Sequence, residues 1–392
     1  MKQSFSTIAI LFCLALLPGC NKSAGDVSEF KYEIVISDTL DEPSWYDLFE
    51  SVSYIPLKTD IPMGQIDQIV VRDGLMYVVA DGLYCFDMEG NCKFRNANKG
   101  RARNEFLKPT SLSVYDGKVY VFDRYKNQML VFDAHSGTYI DSFDVPGYMT
   151  YSWFNGDSYI CKVLEPEDGG FFKCYSKDDI NLQTSEFFPR KEDIGVMYGS
   201  TSWANDGLLC LSYLKNCAWK INGTDTVPYI KVRVPENKRL SDKAISAMLS
   251  DYSSKGSYRV KDYATGVMCG LYNVTECDGF ITGKVTDYED SDYYVFFIYD
   301  KNTGHSYSYK RFALYEPWHK NPVLDRDNPA AGDGDCIYVV YSYDELTRKL
   351  LGEGNAPEDP KYRAAYEVYK NMTIDSNPFV ARFELKEIKT TH

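Results

Sequence analysis

One turn recurs along this chain and limits what it can fold into. Asp73-Gly74 leads into LMYVVA, Asp116-Gly117 into KVYVFD and Asn155-Gly156 into DSYICKV. Asp206-Gly207 leads into LLCLSY, Asp278-Gly279 into FITGKV and Asp333-Gly334 into DCIYVVY. Asx-Gly is a strong short-range hairpin signal because both residues tolerate positive φ. A strand-like run precedes the turns (QIDQIVV, PTSLSVY, MTYSWF, STSWA, GLYNVTE), with only a weak one before Gly332. A further pair of strands often follows, as in LYCFD-MEG, MLVFD-AHSG, CAWKI-NG and VFFIYD-KNTG. Two repeats even share a phrase, Ser152-Trp153-Phe154-Asn155 and Ser202-Trp203-Ala204-Asn205.

The unit is therefore strand, Asx-Gly turn, strand, loop, strand, turn, strand, and it occurs six times. Four-stranded units recurring at roughly 40 to 70 residues predict a β-propeller. The fold class is all-β, a six-bladed β-propeller over residues 30–392 with short helical insertions; seven blades or a pair of β-sandwiches is the alternative. Thirty-three tyrosines and 15% aromatic residues suit strands. Each blade buries its faces only against its neighbours, so the ring has to close. The alternating run Pro378–Leu385 ends the chain, and Phe30–Ile36 and Val52–Leu57 begin it. One of these early strands is expected to complete the last blade. Ser241 is placed to cap a helix over SDKAISAMLSDY, with Ile245, Met248, Leu249 and Tyr252 on one face. Asp359-Pro360 is placed to start a second helix with Tyr362, Ala365, Tyr366 and Tyr369 on one face. Both stripes are expected to dock on the ring's flank.

The N-terminus reads as a leader. Lys2 precedes the apolar run Ile8–Leu17, which has the length of a signal-peptide core and is too short to span a bilayer comfortably. Leu16-Leu17-Pro18-Gly19-Cys20 is similar to a lipobox, which makes residues 1–19 a signal peptide and Cys20 the lipidated N-terminus; an ordinary secretory signal is the alternative. Residues 20–29 then form a small, polar tether. Lipid on one residue anchors a protein to a membrane without spanning it. The formal net charge is -13, and loss of Lys2 with the leader makes it one unit more negative. That balance disfavours nucleic acid as a partner.

Catalytic constellations are sparse. His135 and His305 fall in tight turns, His392 is the last residue, and neither these nor His319 has a partner at zinc-ligand spacing. There is no nucleophile elbow and no phosphate loop. Asp287-Tyr-Glu289-Asp290-Ser-Asp292 offers oxygen ligands for calcium, but it lacks the spacing and glycine of an EF-hand, and a solvated hairpin tip is the plainer reading. Asp325, Asp327, Asp333 and Asp335 carry the same ambiguity. No other cofactor is expected.

Several segments together resemble a group of bacterial lipoproteins with a six-bladed β-propeller, many of them known only as a domain of unknown function. They are the lipobox, Tyr54-Ile-Pro-Leu57, Phe86-Asp-Met-Glu-Gly90, Gly100-Arg101 with Glu105-Phe106, the Tyr120–Asp123 and Val131–Asp133 pattern, and Asn377-Pro378. In that group the loop of Gly100 runs roughly Gly-x-Gly-Pro-x-Glu-Tyr; here Ala102 and Arg103 stand where the second Gly and the Pro would be. The resemblance implies a cell-envelope location, as an outer-membrane lipoprotein facing either side, and a recognition role. It supplies no catalytic residues.

Propeller topology places Asn98–Phe106, NKGRARNEF, at the crossing from blade one to blade two, on the channel rim. Arg101 and Arg103 suit an anionic group, because guanidinium matches carboxylate and sulfate geometry. Glu105 either contributes to a ligand or fixes the junction. Trp318 is a candidate sugar platform, whereas Trp153 and Trp203, at equivalent repeat positions, suit packing between blades. Nine cysteines follow Cys20. Cys85/Cys92, Cys161/Cys174 and Cys210/Cys217 flank turns, and an envelope location permits disulfides there; the odd count leaves at least one thiol free. The expected function is a lipid-anchored binding module for a glycan or a partner protein, with a glycan lyase or hydrolase using the central channel as the alternative.

Overall fold

The computed structural model describes residues 30–37, 49–163, 171–187, 201–204, 207–223, 225–255, 259–289, 293–310, 330–341, 367–368, 370–373 and 375–386. Two strands precede the first repeat, β1 (Tyr32–Val35) and β2 (Phe49–Pro56). Blade one is β3 (Gln68–Arg72), β4 (Leu75–Val79), β5 (Leu83–Asp87) and β6 (Cys92–Asn96). Blade two is β7 (Pro109–Tyr115), β8 (Lys118–Asp123), β9 (Gln128–Asp133) and β10 (Tyr139–Asp144). Blade three is β11 (Tyr151–Phe154), β12 (Ser158–Lys162), β13 (Phe172–Ser176) and β14 (Gln183–Phe187). Blade four is β15 (Thr201–Ala204), β16 (Gly207–Ser212), β17 (Cys217–Asn222) and β18 (Asp225–Arg233). Blade five is β19 (Met268–Glu276), β20 (Phe280–Asp287), β21 (Tyr293–Asp300) and β22 (Ser306–Lys310). Blade six holds β23 (Ala330–Asp333), β24 (Cys336–Tyr341) and β25 (Phe379–Leu385), with β2 as its outermost strand.

The six-bladed count and the closure are therefore as the repeat predicts. β2 pairs antiparallel with β25 from Phe49↔Leu385 to Pro56↔Phe379, so one blade draws strands from both ends of the chain. β1 does something the repeat did not announce. It adds a fifth strand to blade four, parallel to β18, from Tyr32↔Ile230 to Val35↔Arg233. The backbone N–H groups of Val35 and Ser37 then donate to the hydroxyls of Ser306 and Ser308 on β22, at 3.0 and 2.9 Å. β1 and the residues just after it thus strap blade four to blade five.

Apolar cores fill all six seams. Leu112, Val121 and Phe132 meet Leu83 and Cys85 between blades one and two. Phe122, Phe154 and Tyr159 fill the next seam, and Trp153, Phe172 and Leu208 the third. Ile230, Ile281 and Phe297 pack between blades four and five, Phe296, Tyr341 and Phe383 between five and six, and Phe86, Tyr338 and Val380 close the ring between six and one. Trp153 is buried, as expected of a packing residue. A fully buried Phe or Leu contributes about 1.5–3 kcal/mol, so the seams hold the ring together.

Polar side chains also tie the innermost strands. The Gln68 amide donates to the Leu112 carbonyl at 3.0 Å and accepts from its N–H at 2.9 Å, imitating a strand partner. Ser111 Oγ donates to the Ser152 carbonyl at 2.8 Å, and Ser113 Oγ accepts from Phe154 N–H at 2.9 Å.

The first insertion forms helix α1 (Asp242–Lys255), and Ser241 Oγ accepts the Ala244 N–H at 3.2 Å as its cap. Met248 and Leu249 bury against Tyr213, Leu240, Val260 and Cys269 on the flank of blades four and five. Of the second predicted helix, most of the sequence lies outside the described residues.

None of the three cysteine pairs that flank turns is bridged: all nine cysteines after Cys20 are free thiols. Register is the reason. Cys161 sits opposite Lys173 and Cys174 opposite Ile160, so the two side chains leave opposite faces of the sheet. Cys161 joins the seam between blades two and three, Cys174 the seam between three and four. A bulge between Cys85 and Phe86 pairs Phe86 with Cys92, which shifts Cys85 out of register. Cys210 faces Trp219 and Cys217 faces Ser212, which leaves this pair diagonal.

Candidate functional site

Strand direction alternates within each blade. The crossings between blades and the turns between the two middle strands therefore share one face of the ring, and the Asx-Gly turns and outer hairpin turns share the other. We call these the crossing face and the turn face.

The crossing from β6 to β7 is a tightly held loop. Phe106 is fully buried against Phe132. Its N–H donates to the Asn98 carbonyl at 2.8 Å, and its own carbonyl accepts from Gly100 N–H at 3.1 Å. Glu105 Oε2 accepts the Ala102 N–H at 2.9 Å. A Cβ on Gly100 would lie 2.0 Å from that same oxygen, so Gly100 and Glu105 form one fitted piece. Glu105 thus acts on its own loop. Lys99 reaches Asp81, in the middle turn of blade one, at 3.8 Å. Arg101 and Arg103 are exposed and form no ion pair among the described residues.

The middle turn of blade two, Asp123–Asn127, organises this region. The Asp123 carboxylate is fully buried and accepts four backbone N–H groups: Leu107 at 2.6 Å and Lys108 at 3.1 Å on Oδ2, Tyr125 and Lys126 at 3.0 Å on Oδ1. Lys126 Nζ donates to the carbonyls of Ala102 and Glu105, at 2.9 and 3.0 Å. Burial pushes its pKa down, against the opposing pull of Asp123 and Glu105. Asn127, with φ of 54°, donates to the carbonyls of Val145 and Gly147 in the crossing to blade three. One turn therefore grips two crossings. Around it, Tyr125 is 68% and Tyr148 61% exposed. Arg124 Nε is buried and makes no hydrogen bond within the described residues.

Sequence reasoning located Arg101 and Arg103 but missed Arg124–Asn127. A usable signal was present. Lys126-Asn127 recurs as Lys215-Asn216 before β17, and Asn216, with φ of 50°, likewise donates to the next blade, at the carbonyl of Met268, the first residue of β19. Trp318, Cys20, His319 and Asp325–Asn328 lie outside the described residues. Of the acidic run at 287–292, Asp287 and Glu289 both accept from Lys238 Nζ at 2.8 Å. Among the described residues no group of three or more His, Cys, Asp or Glu side chains is arranged to hold a metal ion.

The turn face has the opposite character. Asp73, Asp116, Asp278 and Asp333 stand at the Asx-Gly turns. Burial, and then the carboxylates of Asp278 and Asp73, push the Asp333 pKa up, with Arg72 opposing.

Residues 32–384 match the family described as "Domain of unknown function (DUF4934)". The chain belongs to this family. A DUF4934 chain of this sequence also matches the crystal structure of a "Putative exported protein" from Bacteroides fragilis NCTC 9343, with 12% identity, TM-score 0.66, and coverage of 91% of this chain and 99% of that one. At that identity the likeness establishes the propeller fold alone. The computationally designed Ika8 protein (8% identity, TM-score 0.38, 74% and 85% covered) and Hsv2 of Kluyveromyces lactis (8% identity, TM-score 0.35, 70% and 71% covered) are more remote. No curated protein matches the sequence. No helix among the described residues is long and apolar enough to cross a membrane.

Proposed function

We propose that this DUF4934 protein is a lipid-anchored binding module of the cell envelope whose crossing face, at blades one to three, takes an anionic glycan. One observation carries the reading. In an acidic chain, Arg101 and Arg103 stand exposed without an ionic partner among the described residues, on a loop locked by Glu105, Lys126 and Asp123. Guanidinium groups carried on a held loop suit paired hydrogen bonds to carboxylate or sulfate. The exposed rings of Tyr125 and Tyr148 offer apolar faces to sugar rings beside them. The lipobox at Cys20 supports the envelope location.

The test is calorimetric titration of the protein with uronate-bearing, sulfated and neutral oligosaccharides. The acidic ligands should bind, and the double variant Arg101→Ala/Arg103→Ala should bind at least about tenfold more weakly, since a charge-assisted hydrogen bond contributes about 1.5–3 kcal/mol. Binding should also weaken with salt. Unchanged affinity in the variant, or capture of a protein partner with no glycan binding, would replace this reading. Replacing Cys20 with Ala should release the protein from membranes into the soluble fraction; continued membrane association would refute the anchor.

A further inference from the structure

We infer that the turn face carries a second, separate site, a cavity between blades one and two that takes a neutral sugar of monosaccharide size. The cavity has a volume of about 360 Å³ and is lined by Arg72, Asp73, Tyr77, Tyr115, Asp116 and His135, with Val114, Gly117 and Ala134 completing the wall. That volume lies at the small end of ligand pockets, which span about 300–1,000 Å³.

Its wall is preformed. Arg72 Nη1 donates to the Val114 carbonyl at 2.8 Å, which holds the guanidinium across the seam between the blades. Tyr77 Oη donates to the Ala134 carbonyl at 3.1 Å, and Ala134 N–H donates to the Gly117 carbonyl at 2.9 Å. Asp73 and Asp116 sit in left-handed backbone, with φ of 53° and 47°. As the leading residues of equivalent turns on neighbouring blades, they present two carboxylates from corresponding positions. Tyr115 is 42% exposed. Its ring is fixed edge-to-face against Phe154 at 5.7 Å, and a Cβ on Gly156 would come within 2.3 Å of it, so blade three supports the ring from behind.

The chemistry selects the ligand. Carboxylates accept hydrogen bonds from hydroxyl groups, while guanidinium and imidazole N–H groups donate to hydroxyl oxygens; a vicinal diol satisfies both at once. A rigid tyrosine ring suits the apolar face of a pyranose. A simple anion would meet Asp73 and Asp116, and a simple cation would meet Arg72. A polar, uncharged polyol avoids both conflicts. The site lies on the face opposite Arg101 and Arg103, so it stands or falls independently of the anionic-glycan reading.

Saturation-transfer NMR of the protein with a panel of neutral monosaccharides and their uronic-acid counterparts tests this. At least one neutral sugar should show saturable binding. Asp73→Asn/Asp116→Asn should weaken it about tenfold or more, through loss of charge-assisted hydrogen bonds, and asparagine tolerates the left-handed turn positions. Arg101→Ala/Arg103→Ala should leave it unchanged. No saturable binding by any neutral sugar, unchanged affinity in the double asparagine variant with its thermal transition intact, or preference for the uronic acids would overturn the proposal. Should the double variant unfold, Tyr115→Leu, which removes the aromatic face, and His135→Ala serve in its place, and unchanged binding in both would also overturn it.

Discussion

Asp123→Asn is the sharpest single perturbation of this ring. The carboxylate is fully buried and accepts four backbone N–H groups, two on each oxygen. Asparagine has the same shape but offers one acceptor oxygen and turns the other position into a donor. Two N–H groups therefore lose their acceptor and face an N–H₂ group, while the other two keep a neutral acceptor in place of a charged one. Hydrogen bonds to charged groups contribute about 1.5–3 kcal/mol each, and an unsatisfied buried donor costs about 1–3 kcal/mol. Partial relaxation of an exposed turn lowers the sum, and about 3 kcal/mol of lost stability is expected. At about 2–4 °C per kcal/mol for a domain of this order, the thermal midpoint should fall by about 6–12 °C. Urea unfolding followed by tryptophan fluorescence gives the free energy, and differential scanning calorimetry the midpoint. Because the same carboxylate holds the crossing that carries Arg101 and Arg103, affinity for an anionic ligand should fall as well. A loss below about 1 kcal/mol, within the range of an ordinary surface substitution or little above it, would show that Asp123 does not organise the two crossings.

Four further outcomes follow from the same geometry. Gly332→Ala would place a Cβ 2.0 Å from the Glu276 carbonyl on the neighbouring blade, a backbone collision that should cost about 1–3 kcal/mol in urea unfolding; a neutral result would mean the seam between blades five and six is slack. Thiol titration in denaturant should count nine free groups after Cys20, whereas native protein at pH 8 should react slowly, because burial pushes Cys161, Cys174 and Cys210 up to about 12 and leaves little thiolate; fast native reaction of all nine would contradict the packing. Asp133 is held below the usual carboxylate range by the backbone N–H and hydroxyl of Ser136, so its contribution to stability is present above the unfolded pKa and lost as pH falls through the folded one; Asp133→Asn should flatten that part of the acid-unfolding curve, and an unaltered curve would refute the linkage. Deleting residues 1–57 should expose the β25 edge and leave a protein that aggregates, because Phe49, Ile55 and Leu57 leave two seams at once; a monomeric, cooperatively unfolding product would show that β2 is dispensable.

The ring was legible because its turns are chemically marked. Asp73-Gly74 and Asp116-Gly117 adopt positive φ at both positions, as an Asx-Gly hairpin requires. The Asp278-Gly279 turn has no positive φ at either residue, and there Gly279 matters through closeness: its N–H donates to Asp335 Oδ1, and an added Cβ would sit 2.9 Å from that oxygen. The same letters therefore marked the first hairpin of a blade for two different physical reasons. The cysteine pairs stayed open in the sequence because turn symmetry does not fix register; a single bulge or a one-residue offset sends a side chain to the other face. Of the site, the arginines showed as an anomaly of charge. Asp123–Asn127 did not, because an aspartate that collects backbone N–H groups from two loops looks in sequence like any strand-ending aspartate. The role of β1 was hidden for a similar reason: its alternation declares a strand but not which edge it will join.

The direction of β1 has a mechanical consequence. β1 runs parallel to β18, and β18 starts at an outer hairpin turn, so Phe30 emerges on the turn face. With Cys20 in a bilayer, the intervening residues span about 30 Å at most. The ring would then stand with its aspartate turns toward the lipid and its arginines toward the surroundings. A load on the tether would pull along the axis of β1, so that its hydrogen bonds to β18 would bear the strain together rather than opening one after another. The strap would resist as a lap joint, and a ligand tugging on the outward face would be held through the full width of blade four.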